Sequence, residues 1–436
     1  MSFKLSLPVL LFSALMSAGA TGQVNDTVTT SYDVGGVQVI HRQLAANDIV
    51  AVNLYLLGGS RQLDARTAGV EAMLLRASEF GTARYLGREA RLALARTGSR
   101  MYVSTEPDWT LFGFYGLRTE FDATWDLFAD RVMQPALDSA GVEVVRRKML
   151  RSARSQSNHP DAMVRLIADS VAFQGHAYQH DPEGTEATVR SITIEDLRAY
   201  QAAQMVTSRM LLVVVGNIPK QQLEAAITRT LAQLPKGQYV WSLPPVWRAE
   251  AGSVTVRDRV LPTNYILGYF AGPPANSEHY LPFRIATLLV GGFAAYEIRD
   301  NGLSYAAHSP FLERGASGGG IYVTTTEPDA AMKIFNRMIE LLREQSVDRR
   351  ALQSYYRGFA TSYYSQNESN TGQADFLARH ELLHGDWRLA GQYVQNLKRV
   401  QGYQISNAVR EFVRNIRYVY IGNPDRVPRA EMTKRF

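Results

Sequence analysis

Residues 210–217, MLLVVVGN, decide the fold, because a similar stretch, RYVYIGN, returns at residues 417–423. Both stretches are runs of apolar, largely β-branched residues that end at a Gly-Asn dipeptide. Such a run predicts a buried strand followed by a turn. We therefore expect the same strand near the end of each half of the chain.

Two further pairs of segments recur in the same order. Residues 101–108, MYVSTEPD, resemble residues 321–329, IYVTTTEPD. Residues 166–175 resemble residues 376–385, since both read as an apolar helix that ends at a glycine. All three offsets are a little over 200 residues. Chance explains one such pair about as well as duplication does, but three collinear pairs predict a tandem repeat.

Strand and helix patterns are interspersed in both halves. The predicted strands cover residues 49–57, 111–116 and 264–270, and the predicted helices cover residues 121–132, 142–155, 194–204 and 330–343. Strands with interspersed long helices indicate an α+β fold of two homologous α/β-sandwich halves. We predict an N-terminal half (21–235), a linker rich in Pro, Gly and aromatic residues (236–248) and a C-terminal half (249–436).

The first 20 residues have the features of a secretory signal peptide. Lys4 precedes an apolar run from Leu5 to Met16, and small residues at 18–20 predict cleavage after Ala20. No later stretch offers the ~20 uninterrupted apolar residues that a spanning helix needs, so we expect no membrane anchor. We expect a secreted protein and favour a bacterial periplasm.

Composition excludes several classes of protein. The 436 residues include no cysteine, which excludes disulfides, a cysteine nucleophile and thiolate metal sites. The formal net charge is +6, but runs of clustered Lys and Arg with interleaved aromatic residues are absent, so we expect no nucleic-acid partner. The positive charge indicates either a solubility feature or a preference for acidic peptides.

The order of these features resembles the insulinase/pitrilysin family of metallopeptidases over nearly the whole mature chain. The resemblance rests on Gly58-Gly59-Ser60, on the helix from Ala68-Gly69-Val70 to Gly81-Thr82, and on the Gly184-Thr185 turn. It also includes the strand at residues 211–217 and the segment from Arg299 to Tyr305. The resemblance implies two sandwich halves that together form half of a clam-shell.

The zinc site that the resemblance implies is missing. Active members carry His-x-x-Glu-His on the first of these helices, where two imidazoles bind zinc and the Glu activates water. The matching residues here are Ala72, Leu75 and Arg76, and the third ligand, a Glu in the family, falls near Ser152. Methyl, isobutyl and guanidinium groups do not ligate zinc. We therefore expect no cofactor in this chain.

A second family feature is retained. Arg299 and Tyr305 match an Arg and a Tyr that in relatives close over the substrate opposite the zinc. A guanidinium and a phenol can donate to peptide carbonyls and to an oxygen that gains charge during hydrolysis. The alternative is structural: Arg299 pairs with Asp300 or Glu297, and Tyr305 packs in the core.

The resemblance also implies a peptide-binding surface. In relatives the strand that matches residues 98–105 is an open sheet edge to which an extended peptide adds, which assigns Gly98, Met101 and Val103 to substrate binding. Two further groups of glycines resemble the glycine-rich loops by which non-catalytic subunits contact substrate. They are Gly291 with Gly292, and Gly318, Gly319 and Gly320. Ordinary turn glycines are an equally good reading of those five residues.

His380-Glu381-Leu-Leu-His384 is a competing motif, because it matches the zincin signature His-Glu-x-x-His. Gly385 predicts that the helix ends directly after the second histidine. No third ligand stands at an obvious distance. We favour a helix end with two surface histidines, and keep a zinc site at His380 and His384 as the alternative.

We therefore predict a non-catalytic, substrate-binding subunit of a heterodimeric zinc peptidase. A homologous partner subunit carries the zinc, and this chain supplies Arg299 and Tyr305 to it. The complex cleaves unfolded peptides, and the isolated chain is inactive. The alternatives are an autonomous zinc peptidase that uses His380, Glu381 and His384, and a peptide-binding scaffold without a role in peptidase activity.

Overall fold

A computed structural model describes residues 28–436. The predicted signal peptide, residues 1–20, lies outside the described residues. The strands are β1 (Thr29–Val34), β2 (Val37–Gln43), β3 (Ile49–Leu57), β4 (Arg100–Thr105), β5 (Trp109–Leu117), β6 (Met210–Gly216), β7 (Ser253–Asp258), β8 (Asn264–Pro274), β9 (Ala307–His308), β10 (Phe311–Leu312), β11 (Ala316–Thr325) and β12 (Arg417–Gly422).

The helices of the first half are α1 (Val70–Ala77), α2 (Arg88–Thr97), α3 (Phe121–Met133), α4 (Ser139–Asn158), α5 (Pro160–Ala172), α6 (Glu186–Ser191), α7 (Ile194–Gln204) and α8 (Lys220–Arg229). Those of the second half are α9 (Tyr280–Asp300), α10 (Pro328–Glu344), α11 (Arg349–Gln366), α12 (Asn370–His384), α13 (Leu389–Arg399), α14 (Gly402–Phe412) and α15 (Arg429–Met432).

Each half contains one sheet, and the two sheets share a topology. The first has the order β1-β2-β6-β3-β5-β4, and the second has the order β10-β11-β8-β12-β7, with β9 also paired to β11. In both, the last strand runs parallel to one neighbour and antiparallel to the other: β6 lies between β2 and β3, and β12 lies between β7 and β8. The predicted equivalence of residues 210–217 and 417–423 as repeats is confirmed, and so is the predicted α+β fold class.

The predicted equivalence of residues 101–108 and 321–329 is wrong. The first segment contains β4, an edge strand that pairs only with β5 among the described strands. The second lies in β11, an inner strand that pairs with β8 as β5 pairs with β3. The topological match of β11 is therefore β5. Short runs of aromatic and β-branched residues followed by Glu-Pro-Asp specify a strand, but not its place in a sheet.

The two halves exchange one helix each. Helix α5 of the first half packs on β8 and β12 of the second sheet, and α12 of the second half packs on β3 and β6 of the first. These two helices contain the third predicted pair, residues 166–175 and 376–385. Their reciprocal positions confirm that pair, and they join the cores of the two halves.

Helix α9 is long and apolar enough to span a membrane by length and composition. It lies instead inside the second half, where it packs against α10, α14 and β8. More than half of its most apolar window is buried in the protein. This helix is therefore accounted for as a core helix of the second half.

Residues 236–250 carry neither helix nor strand, and the predicted linker (236–248) falls within them. The boundaries at 21–235 and 249–436 stay predictions. The linker residue Trp241 donates its indole N–H to the Leu382 carbonyl of α12 at 3.0 Å. The linker thus packs along the seam between the halves.

Candidate functional site

Strand β4 leaves one backbone edge unpaired in the described part of the chain, because β5 alone pairs with it. The side chains of Met101 and Val103 pack against the first core and are partly buried. Gly98 precedes the strand and closes α2 with φ +65°, a left-handed conformation that suits glycine. The unpaired N–H and C=O groups are therefore what this strand offers to a ligand.

Helix α1, on which the resemblance places the missing zinc ligands, is integrated into the core. Ala72 and Leu75 are buried and belong to the first hydrophobic cluster. The buried carboxylate of Glu71 accepts hydrogen bonds from Arg209 at 2.9 Å and from Tyr200 at 2.7 Å. This buried ion pair holds α1 against the body of the first half. Sequence reasoning did not find it, because Arg209 lies 138 residues further along the chain.

Arg76, which the resemblance predicts to stand in place of a zinc-binding histidine, is engaged in an ion pair. Its guanidinium forms a bidentate pair with Glu183, with Nη2 2.7 Å from Oε1. Thr105, at the end of β4, donates its hydroxyl to the same carboxylate at 2.5 Å. Burial would raise the pKa of Glu183, but the bonds from Arg76 and Thr105 together lower the pKa. Helix α1, strand β4 and the loop before Gly184 are thereby locked together.

Glu183 was not predicted as part of the site. Its only signal in the sequence is its place directly before the Gly184-Thr185 turn that carries the family resemblance. On α4, Ser152 is exposed, and the wall of the adjacent cavity is formed one residue later, by Ala153 and further on by Gln156. None of these three residues has a carboxylate.

A cavity of about 600 Å³ lies beside the end of β4. Its walls include residues of both halves, among them Asp169, Asp181 and Arg314. Burial raises the pKa of Asp181 to about 6, and burial also raises the pKa of Asp169. Arg314, 3.9 Å from Asp169, is the cation that the second half contributes to this acidic recess.

Arg299 and Tyr305 lie on a separate part of the surface, in the second half. Arg299 is exposed in the last turn of α9, and Tyr305 is 91% exposed in the loop before β9. Glu297 pairs with Arg337 and not with Arg299. The structural alternative, an Arg in a local pair and a Tyr in the core, is therefore contradicted. Both side chains are accessible to a second molecule, and neither lines the cavity beside β4.

The prediction that five glycines form substrate loops is wrong. Gly291 and Gly292 lie in the middle of α9, and Gly318, Gly319 and Gly320 lie in the buried strand β11. A Cβ on Gly291 would lie 2.4 Å from the backbone N of Ser309, and a Cβ on Gly319 would lie 2.4 Å from the Phe270 ring. Both glycines thus allow close packing inside the fold.

The prediction of two surface histidines in the competing motif is wrong for His380, which is buried, while His384 is half-buried. Helix α12 ends at His384 with Gly385 in a left-handed conformation, as predicted. His380 is buried, and its Nδ1 donates to the Phe376 carbonyl at 2.8 Å, while Nδ1 of His384 donates to Ala275 at 2.7 Å. Burial lowers the pKa of His380 to about 4.

The surroundings of this histidine pair do not suit a metal ion. The carboxylate of Glu313 is held by Arg284 at 2.6 Å and approached by Arg379 at 4.0 Å. Glu381 accepts from the backbone N of Trp387 at 3.0 Å, beyond the end of the helix. Across residues 28–436, no group of three or more His, Asp or Glu side chains is placed to hold a metal ion.

Comparison with known proteins gives a consistent result. Residues 38–186 match the family described as insulinase (peptidase family M16), and residues 191–373 match the family described as peptidase M16 inactive domain. An uncharacterised zinc protease of Mycobacterium leprae is 23% identical over 428 residues, which cover 92% of this chain and 94% of that protein.

Of two further matches, the first covers only part of the chain and the second is a likeness of structure. The β subunit of the mitochondrial-processing peptidase of Lentinula edodes is 23% identical over 250 residues, which cover 56% of this chain and 53% of that subunit. A solved structure from Pseudomonas fluorescens, described as a peptidase M16 inactive domain, superposes with a TM-score of 0.79 at 18% identity. It covers 91% of this chain and 98% of its own, and it supports the same two-halved fold.

Proposed function

The chain belongs to the insulinase family of peptidases, M16, and from that premise we propose that it is the non-catalytic, substrate-binding subunit of a two-chain zinc peptidase. A homologous partner subunit carries the zinc and the general base. This chain contributes an edge strand for the peptide, together with Arg299 and Tyr305. The complex cleaves unfolded peptides, and the isolated chain does not. The observation that carries the proposal is the Arg76–Glu183 ion pair at the position of the zinc site.

That ion pair supports a change of role. A guanidinium brings a permanent positive charge to the place where a zinc ion would sit, and the pair occupies the nearest carboxylate. Ala72 and Leu75 are packed in the core and offer no lone pair. Hydrolysis by a metal-bound water therefore needs a zinc site from another chain.

Strand β4 supports the substrate-binding part of the proposal. An extended peptide that adds to its edge gains main-chain hydrogen bonds whatever its side chains are. Antiparallel addition is slightly more stable per residue than parallel addition. This mode of binding selects for unfolded segments, because a folded protein has already paired its own backbone groups.

Arg299 and Tyr305 support the need for a partner. Both are exposed, and both can donate hydrogen bonds to the oxygen that becomes negatively charged in peptide hydrolysis. A relative whose name identifies it as a subunit, the β subunit of a mitochondrial-processing peptidase, supports a paired assembly. The features of the first 20 residues support export, and we place the complex in a bacterial periplasm.

Reconstitution with a zinc-bearing homologue tests the proposal. Cleavage of an unfolded peptide should need both chains. The double variant Arg299→Ala, Tyr305→Phe should lower kcat by about 10²–10³, as loss of oxyanion donors does. The control is Arg257→Ala, Tyr364→Phe, which removes the same groups from exposed positions on β7 and α11 of the second half and should retain full activity.

Three results would refute the proposal. The first is full activity of the Arg299, Tyr305 double variant in the complex. The second is cleavage by the isolated chain that is lost in Glu381→Gln, which would establish the autonomous zinc peptidase. The third is peptide binding without stimulation of any zinc-bearing homologue, which would establish a scaffold.

The edge strand has its own test, which uses altered peptides. N-methylation of every second residue in a bound peptide removes the donors on one side of its backbone. In the phase that faces β4, the loss of three hydrogen bonds of about 0.5–1.5 kcal/mol each should weaken binding about 10- to 1000-fold. The opposite phase should bind nearly as well as the parent peptide. Equal effects of both phases would exclude strand addition.

A further inference from the structure

A groove of about 650 Å³ lies in the second half, between α11, the end of α13 and the start of α14. Its cationic lining residues are Arg349 and Arg357 on α11 and Lys398 on α13. We call it the basic groove. Neither β4 nor the segment from Arg299 to Tyr305 contributes to it, so it is separate from the site described above.

The cations of the basic groove are not neutralised by the protein. Arg349, Arg357 and Lys398 are exposed, and none of the three forms an ion pair in the described part of the chain. The groove lining includes neither Asp nor Glu. Some surface cations are paired, as Arg154 and Arg190 are with Glu186, whereas the three cations of the groove are not. The groove is therefore a local cluster of positive charge.

The helix that opens onto the groove adds to this potential. Helix α14 begins at Gly402, and Gln401, Gly402 and Tyr403 all line the groove. The N-terminal end of an 11-residue helix carries a partial positive charge. Gln401 forms a capping box with Gln404, which fixes this helix end in place. Side-chain cations and a helix terminus thus favour an anion from two independent directions.

The floor of the groove is apolar and ordered. Leu352 and Val400 are buried at its base, and Val347 is partly buried beside them. The Tyr356 hydroxyl donates to the Val400 carbonyl at 2.6 Å, which holds the aromatic ring against the floor. The groove can therefore take apolar groups of a ligand at its base, beside the cations that attract negative charge.

We propose that the basic groove binds an extended polypeptide segment in which Asp or Glu side chains alternate with apolar residues. The acidic side chains meet Arg349, Arg357 and Lys398, and the apolar side chains cover the floor. A nucleic-acid backbone provides phosphates without apolar groups for the floor. An anionic bilayer is a flat surface that meets protruding residues rather than a recess. A polypeptide of this kind provides both negative charges for the cations and apolar groups for the floor.

Fluorescence anisotropy with a labelled 12-residue peptide of alternating Glu and Leu tests the proposal. The triple variant Arg349→Glu, Arg357→Glu, Lys398→Glu should weaken binding at least about tenfold, since three exposed ion pairs are lost. The matched control is Arg88→Glu, Arg151→Glu, Arg198→Glu, which reverses three exposed arginines of the first half that form no ion pair in the described part of the chain. The control makes the same change in net charge and should bind nearly as tightly as the unaltered protein.

The remaining measurements separate the possible ligands. A peptide of alternating Gln and Leu lacks the acidic groups, so the unaltered protein and the groove triple variant should bind it equally, and added salt should weaken binding of the acidic peptide. Equal losses in both triple variants would overturn the proposal, because attraction would then follow net charge and not the groove. Groove-dependent binding of phosphatidylglycerol vesicles or of a single-stranded oligonucleotide in place of the peptide would overturn it as well. Cleavage activity in the reconstituted complex is not needed for any of these results.

Discussion

The first sheet ends in a continuous strand of six residues, whereas the corresponding edge of the second sheet is broken. Strand β4 pairs with β5 along its whole length. In the second half, β9 and β10 have two residues each and pair with different parts of β11. Between them, Ser309 turns its hydroxyl back to the Gly320 carbonyl. A long peptide can add to the first edge but not to the second.

The two copies of the duplicated fold therefore differ in what they leave open. The first half leaves the edge of β4 unpaired among the described strands and holds Arg76 of α1 in an ion pair with Glu183. The second half has lost a usable edge, but its α9 continues to an exposed Arg299. The first α-helices after the equivalent strands β3 and β8 are also held differently, since α1 adds a buried ion pair to its apolar packing, whereas α9 is held mainly by apolar packing.

The largest expected effect comes from breaking that buried ion pair. Arg209→Met leaves the Glu71 carboxylate buried without its cation, and should destabilise the protein by about 3–5 kcal/mol. Chemical denaturation followed by circular dichroism measures the change. Glu71→Leu combined with Arg209→Met should recover most of the loss, because two apolar groups leave no unpaired charge.

The matched control for this prediction lies on the second half. Arg337 on α10 and Glu297 on α9 form an exposed pair, and Arg337→Met should cost less than about 1 kcal/mol. If the two single variants were equally destabilised, the contrast between an ionic anchor for α1 and an apolar anchor for α9 would not hold.

A smaller effect on the free energy of unfolding is expected from pH, and it arises in α12, the helix of the second half that packs on the first sheet. The folded protein keeps His380 neutral, because burial holds its pKa near 4, below the ordinary value of about 6.5 in the unfolded chain. The unfolded state therefore binds more protons between these values. Stability is complete above pH 6.5 and should fall by about 2–3 kcal/mol as the pH drops toward 4.

His380→Gln isolates this contribution. The variant should lose part of the fall in unfolding free energy between pH 6.5 and pH 4, measured by denaturant titration at each pH. His279, which is exposed on the same half, provides the control, and His279→Gln should keep the full pH dependence. An unchanged pH profile in His380→Gln would mean that the pH dependence arises elsewhere.

The sequence predicted the repeat and the strands β3, β6 and β12 well, because apolar runs that end in turn residues specify buried strands locally. Helix α7 also begins and ends where it was predicted, at Ile194 and Gln204. The equivalence of residues 101–108 with 321–329 failed because position in a sheet depends on partners far along the chain. The same reason hid Glu183 and Arg209, whose importance lies in contacts with α1 that no local pattern records.

Site residues show the same division. Ala72, Leu75 and Arg76 were predicted as the positions of missing zinc ligands because such positions have a fixed spacing on one helix, and this assignment stays a prediction. The glycines at 291–292 and 318–320 were misread because glycine in a sequence marks either a loop or a close contact. Whether a neighbouring chain segment approaches within 3 Å is decided by tertiary packing, and the sequence alone does not contain that distance.

The smallest expected effects separate these two meanings of glycine on neighbouring residues of α9. Gly291→Ala should destabilise the protein by about 1–3 kcal/mol, because the new Cβ would meet the Ser309 backbone at 2.4 Å. That contact fixes the break between β9 and β10, so the change acts on the edge that distinguishes the second sheet.

In Gly292→Ala the new methyl group faces solvent beside the Tyr355 side chain, whose hydroxyl lies at 3.2 Å. The change should stabilise α9 by up to about 1 kcal/mol. Thermal unfolding of both variants measures the difference, and peptide binding at β4 should be unchanged in Gly292→Ala. Weaker peptide binding by that stable variant would indicate that Gly291 and Gly292 contact the peptide after all, and that the second half takes part in peptide binding.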